Sequence, residues 1–473
     1  MMIIILYDAS MVHPSSDRTR PLLQGPIAST LLKLAAPTLV VVAMQSAINV
    51  IETYFVGQIG TDALAGVSLV FPILMLMTMM AAGGMGGAVA SAVARALGAG
   101  RRDDADAILL HALIIAAALG IVFTAAALWG APALYRTMGG SGGALDAALG
   151  YSNTIFAAAA AFWVLNVLGA VLRGTGNMMV PALVSVVGAV LLIPLSPALI
   201  MGWGPLPRLG VVGGALALVA FYIAGTVALV VYFLLGRSVV RLRVRGIRLQ
   251  GHIFGQILGV GAISSLMTVQ SNLMVLVTTG LVGSYGTAAL AGYGLAARLD
   301  YLMIPLLFAL GTGAVTMVGT NIGAGQIARA ERIAWITAGI GFGVTELIGV
   351  LVAVVPVAWL GIFSDDAAVL GFGSLYLRIV GPSYGFVGAA LLLFFASQGA
   401  GQMRWPFIGG ILRFIVVIAG GWTAVRLLGA GLPALFGIIS AASLVFGCVN
   451  ALAIRAGAWR TSGLPGRAIV RAR

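Results

Sequence analysis

The sequence predicts an all-α polytopic membrane protein: twelve transmembrane helices built as two six-helix bundles related by a pseudo-twofold axis along the membrane normal. Three observations carry this. Of 473 residues, 61% are apolar and only 8% are charged, against about 25% charged in a soluble domain, and the mean hydropathy is +1.10. Apolar runs of roughly 20 residues or more recur along the chain, enough to cross a hydrocarbon core. Short motifs also repeat at a fixed offset. A porin is excluded, because its strands would alternate polar and apolar residues.

The elements follow in order. Residues 1–27 read as a loose cytoplasmic tail: MMIIILYDAS has no basic residue ahead of its apolar run and fails as a signal peptide, and Met11 is a second possible start. Apolar spans are predicted at 30–57, 66–94, 105–130, 150–172, 178–201 and 211–236, which form an N-lobe over 28–236. A basic linker at 237–252 divides the chain. Spans at 253–281, 286–320, 333–361, 370–397, 405–428 and 432–455 form a C-lobe over 253–456, followed by a basic tail at 457–473.

Twelve spans put both termini on one side, and the basic residues decide which. Of 26 Lys and Arg, 20 fall on the terminal side, three (Arg136, Arg208, Arg426) on the other and three (Arg298, Arg378, Arg413) inside spans. Both termini are therefore predicted cytoplasmic, in a plasma (inner) membrane. The net charge of +13 is then topology information, and nucleic acid is not expected as a partner. One cysteine, Cys448, excludes an intramolecular disulfide. His13, His111 and His252 are scattered, so no metal site and no catalytic residue is expected.

GTDALAG (60–66) matches GTAALAG (286–292) at an offset of 226, while LGAG/IGAG (97–100, 322–325) and RGTGNMMVP/QGAGQMRWP (173–181, 398–406) match at 225. Each repeat holds six spans, so the halves enter the membrane in the same orientation. Two such bundles leave a cleft, the usual basis of alternating access. The GAG motifs lack the Gly-Lys-Ser/Thr ending of a phosphate loop and read as tight turns.

At these residues the chain resembles the multidrug and toxic compound extrusion (MATE) transporters. The resemblance rests on Glu52-Thr-Tyr-Phe-Val-Gly57 leading into GTDALAG, ARALGAGRRDDADA (94–107), LRGTGN (172–177), and ALAGYGLAARLDYLMIP with VGTNIGAGQIARAERI. It covers roughly 28–456. It implies a secondary antiporter that exports bulky, often cationic organic molecules in exchange for inward H⁺ or Na⁺, with no cofactor, working as a monomer in the lipid bilayer. The sequence departs from the family at three places. Glu52 stands where members commonly have Asp, Leu192 and Ser196 stand where many place Asn and Asp, and 253–281 holds no acid. A flippase for a lipid-linked precursor is the alternative, and a channel is disfavoured for want of a filter-like sequence.

Three acids lie inside spans: Glu52, Asp300 and Glu346. Such residues protonate, pair or line a wet cavity. Glu52 has no intramembrane arginine in its half, and Gln45, Asn49 and Glu52 share one helix face. Together with Asp300 they are the candidate coupling-ion or proton site, Glu52 foremost. Asp300 lies about 21 Å along its span at 1.5 Å per residue, near the midplane, with Arg378 or Arg413 as a possible ion-pair partner. Candidate substrate-cleft residues are Met75, Met79, Asp300 and Glu346. Flexible thioethers suit a pocket of many shapes, although ordinary lipid-facing or helix-packing methionine is the favoured reading, and a protonated glutamate between helices explains Glu346.

Overall fold

A computed structural model of the chain describes residues 15–243 and 248–460, except for the side chains of 15–18 and Tyr301. The alternative starts, His13, the side chain of Arg18, Arg245, and Arg467, Arg471 and Arg473 lie outside the described residues.

Among the described residues there are eleven helices long and apolar enough to cross a membrane, and a bent pair makes a twelfth span. Spans 1–6 are Ile27–Gly57, Thr61–Gly98, Arg102–Thr137, the pair Gly142–Ala157 and Ala159–Gly174 bent by 50°, Met179–Met201 and Val211–Leu234. Spans 7–12 are Gly251–Gly283, Thr287–Gly323, Ile327–Val354, Ala367–Ala400, Arg404–Leu427 and Leu432–Arg455. The bend at Ala158 has a counterpart in span 10, where a 3-10 turn at Gly381–Ser383 interrupts the helix. With twelve crossings Gln24 and Arg455 share one face, called the terminal face below.

The expected loose tail is partly ordered. Ser15–Gln24 is a helix, and its buried Leu22 is caught by Asn321, whose side-chain amide donates to the Leu22 carbonyl at 3.0 Å. Arg329 donates to the Gly25 carbonyl at 2.5 Å. These bonds are made by spans 8 and 9, some 300 residues away, and local composition carries no trace of them. The linker is pinned likewise: the Arg241 backbone N–H donates to Asp106 at 2.7 Å, and Arg243 pairs with Asp103 and Asp106 at 3.8 and 3.6 Å.

The repeat is structural, residue by residue. A Cβ built on Gly66 would meet Ala144, Ala147 and Ala148, and one on Gly292 would meet Val369, Phe372 and Gly373. Gly174 presses on Ala90 and Val93, and Gly399 on Val315 and Val318. Across the seam the contact is reciprocal. A Cβ on Gly98 would lie 2.8 and 2.9 Å from the Thr320 carbonyl carbon and Cα, and one on Gly323 would lie 2.8 and 2.9 Å from the same atoms of Arg95. Exchanging each residue for its repeat partner maps one contact onto the other, so a twofold axis passes between spans 2 and 8. Those helices run the same way, so the axis runs along them.

The change of offset from 226 to 225 has a place in the fold. Gly66 and Gly292 differ by 226, whereas Ala90 and Val315 differ by 225, so span 2 holds one extra residue between them. A π-helical segment, Met80–Met85, occupies that stretch, while span 8 is α-helical throughout. A π-bulge is the way a helix absorbs one residue, and such bulges sit frequently at functional sites.

Side-chain bonds between the lobes fall in the halves nearer the terminal face. Ser91 donates to the carbonyls of Gln398 and Gly399 at 2.6 and 2.9 Å, Arg95 reaches the Gly399 carbonyl at 3.1 Å, and Thr316 donates to the Arg173 carbonyl at 2.9 Å. Gln398, fully buried, donates from its one amide nitrogen to the Gly83 and Gly84 carbonyls at 2.9 and 3.3 Å and to Ser264 at 3.0 Å. The first two acceptors belong to the π segment, where the α-helical bonding pattern is interrupted.

Candidate functional site

A cavity of about 270 Å³ opens inside the N-lobe, walled by spans 1, 2, 4, 5 and 6 and by Phe308 of span 8. Span 1 contributes Thr38, Val41, Val42, Gln45, Ile48, Asn49, Glu52 and Thr53, the single stripe that a helix of 3.6 residues per turn presents to one side. The three polar residues expected on one face are thus brought together on the cavity wall.

Glu52 is buried, and the Tyr151 hydroxyl donates to its Oε1 at 2.8 Å. The absent side chain of Gly214 leaves room for it, since a Cβ there would stand 2.9 Å from the same oxygen. Tyr222 completes this end of the cavity. Among the described residues no arginine, lysine or histidine pairs with Glu52. A carboxylate walled by apolar spans and held by one neutral hydroxyl can exchange a proton or receive a cation from the cavity without first breaking an ion pair.

The repeat places a second such arrangement in the C-lobe. Tyr376 is the repeat partner of Tyr151, 225 residues on, and its hydroxyl donates to Asp300 Oδ2 at 3.0 Å. The carboxylates themselves are not repeat partners: Glu52 is on span 1 and Asp300 on span 8, the partner of span 2. Asp300 therefore does not join the N-lobe cavity but sits among Tyr293, Tyr376, Tyr384 and Phe436. Its Oδ1, the Tyr384 hydroxyl and Arg413 Nε all lack a hydrogen-bond partner. The ion pair considered for Asp300 is not formed with either arginine. Arg413 lies over the Phe446 ring at 5.7 Å, and Arg378, two residues past Tyr376 on the helix, turns outward and is exposed.

The remaining candidates separate. Met75 lines the cavity with Phe71, Leu74, Thr78 and Ala82. Met79 does not: at 100° per residue it lies about 40° beyond Met75, off the edge of that stripe, and it is 37% exposed. Glu346 is far from the cavity and accepts the Gly385 backbone N–H at 2.7 Å, tying span 9 to span 10 at its kink. Leu192, where the resembled family places a polar residue, is an apolar part of the wall, and the Ser196 hydroxyl is buried without a partner.

Sequence reasoning missed Tyr151, Tyr222 and Arg173. The offset of 225 would have drawn attention to Tyr151 through Tyr376. Arg173 is the repeat partner of Gln398 within a motif match that was visible, yet it reads as an ordinary cytoplasmic arginine until its side chain is seen to line the cavity.

The sequence profile of the family described as MatE matches residues 37–198 and 264–423. A FAD transporter of Shewanella oneidensis is 27% identical over 412 residues, covering 84% of this chain and 88% of the relative. The probable multidrug resistance protein YoeA of Bacillus subtilis is 24% identical over 418 residues, covering 85% and 89%. Among solved structures, a MOP superfamily transporter from Pyrococcus furiosus superposes with a TM-score of 0.84 at 25% identity, covering 93% of this chain and 98% of that one. That transporter is described as having a binding pocket of reversed polarity that suggests a different function.

Proposed function

Because the chain belongs to the MatE family of membrane transporters, we propose that it is a secondary antiporter. It exports bulky organic compounds in exchange for inward H⁺ or Na⁺ by alternating access of the cleft between its lobes. It is a transporter, not an enzyme. The observation that carries the coupling assignment is Glu52: a buried carboxylate on the wall of the cavity, held only by Tyr151. Occupancy of that carboxylate by a proton or cation favours one conformation over the other, which links ion entry to substrate release. Asn49 and Gln45 extend the polar stripe along which an ion reaches it. Asp300, with its own tyrosine and open Oδ1, is the second coupling position.

The charge asymmetry supports a cytoplasmic terminal face in a plasma membrane. Seam contacts such as Ser91 with Gln398 then close the cytoplasmic side and leave the cleft facing outward. The cavity, the seam and both carboxylates belong to one chain, which supports a working monomer. A flippase for a lipid-linked precursor would need a basic cavity, and the lining offers one arginine against one glutamate.

The test is uptake of fluorescent dyes, one cationic and one carrying an acidic group, into proteoliposomes under an imposed proton gradient, repeated with a sodium gradient. Dye accumulation driven by one gradient supports antiport and names the ion. Accumulation independent of both contradicts it.

A further inference from the structure

Arg173 is the cation of the cavity wall. Among the described residues its guanidinium forms no salt bridge and no side-chain hydrogen bond. The only acid of the same cavity is Glu52. Glu52 lies five residues from the far end of span 1, whereas Arg173 lies one residue from the terminal-face end of span 4. The wall between them runs from Thr53 to Thr38, about 22 Å at 1.5 Å per residue, several times an ion-pair distance.

The space around Arg173 is kept open. A Cβ on Gly169 would stand 3.3 Å from one terminal nitrogen, and a Cβ on Gly86, at the end of the π segment, 3.5 Å from the other. This end also holds Phe308, Met178, Leu229 and Pro181, with Thr312 and the buried Gln398 beside Arg173 on the seam side. Its repeat partner Gln398 is fully buried, lies beside it and is bonded across the seam to the Gly83 and Gly84 carbonyls. One member of the pair closes the lobes together, and the other faces the cavity.

A partly desolvated guanidinium calls for an anion, and its planar fork matches carboxylate, sulfonate and phosphate oxygens. We infer that Arg173 is a specificity-determining residue that receives the oxoanion group of a soluble anionic amphiphile, whose aromatic or aliphatic body lies along Phe308, Phe71 and Met75. This rests on the transporter reading above and narrows its substrate class, from bulky organic compounds in general to those carrying an acidic group.

The probes are three pyrenes on the same four-carbon chain, 1-pyrenebutyrate, 1-pyrenebutanol and 1-pyrenebutylamine, titrated by fluorescence into the purified full chain. The wild type should bind the butyrate at least tenfold more tightly than the alcohol or the amine. R173Q should bring butyrate to within twofold of the alcohol while leaving alcohol affinity within twofold of wild type, and R173K should keep part of the preference. A wild type that binds all three alike overturns the inference, whether or not R173Q folds, and so does an R173Q that keeps the preference. Phosphatidylglycerol doped into the micelles tests the other source of such an anion: displacement of butyrate at equal mole fraction assigns the site to a lipid headgroup and overturns the soluble class. E52Q separates the two readings. It should keep the tenfold preference even where ion-driven transport is lost, and absence of antiport in the wild type would defeat the coupling proposal without touching this ratio.

Discussion

Gly98→Ala tests how the terminal face is closed. The new methyl carbon would fall onto the Thr320 carbonyl oxygen, with the carbonyl carbon at 2.8 Å and Cα at 2.9 Å. All are well inside ordinary carbon contact of about 3.5–4.0 Å. The obstacle is helix backbone, which cannot rotate aside as a side chain can, so the lobes must part by about 1 Å at this end. Small-to-large changes in tight packing cost about 1–3 kcal/mol, which shifts the ratio of open to closed terminal face by about 5- to 150-fold. Gly323→Ala should do the same against Arg95. Since either methyl separates the same two helices, the double variant should cost at least about 0.5 kcal/mol less than the sum of the singles. The assay is pulsed electron paramagnetic resonance between spin labels at Ala99 and Gln326, exposed turn residues on either side of the seam, with the exposed Cys448 replaced by serine. Unchanged distances in both single variants, or strict additivity in the double, would refute the reasoning.

Three further outcomes are expected. Tyr151→Phe removes the one donor to Glu52, an interaction worth about 1.5–3 kcal/mol when the partner is charged; gradient-driven transport should fall roughly tenfold or more, and adding Glu52→Gln should lower it no further than Glu52→Gln alone. Deleting Ala82 from the π segment should restore uninterrupted α geometry and rotate the Phe71–Thr78 stripe by about 100° relative to the rest of span 2; dye binding should be lost in a protein that still elutes with the wild-type profile, and retained binding would show that the bulge does not set the wall. A cysteine at Arg243 should be protected from an impermeant thiol reagent in intact cells and one at Ser141 labelled; the reverse pattern would invert the proposed topology.

The spans and the two-lobed plan were legible because a hydrocarbon solvent leaves the chain few choices: long apolar helices, small residues at their contacts, and basic residues on one side. Gly98, Gly174 and Gly323 stood out in the repeated motifs for the same reason that they now touch backbone. The Gln45, Asn49 and Glu52 stripe was legible because helical spacing alone puts it on one face. Asp300 was harder. Its arginines were visible in the sequence, but neither forms an ion pair with it: Arg378 is exposed and Arg413 lies over the Phe446 ring, while the tyrosine that holds it comes from span 10. Arg173 was opaque because a cytoplasmic charge and a cavity charge look alike until the fold places the glycines that make room for it. The π segment left a trace in the shift of offset from 226 to 225, which no local pattern of Met80–Met85 explains.

The measurement that bears most directly on the coupling role of Glu52 is gradient-driven dye accumulation in proteoliposomes by Glu52→Gln beside wild type and Asp300→Asn, with dye binding and elution profile recorded for each. Glutamine keeps the size and the hydrogen bond to Tyr151 but cannot titrate or carry charge. The account predicts that Glu52→Gln binds dye and folds as wild type yet accumulates none under the gradient, that Glu52→Asp keeps partial transport, and that Asp300→Asn loses less than Glu52→Gln. Wild-type accumulation by Glu52→Gln under the same gradient would contradict it, and a greater loss in a folded Asp300→Asn would move the coupling site to the C-lobe.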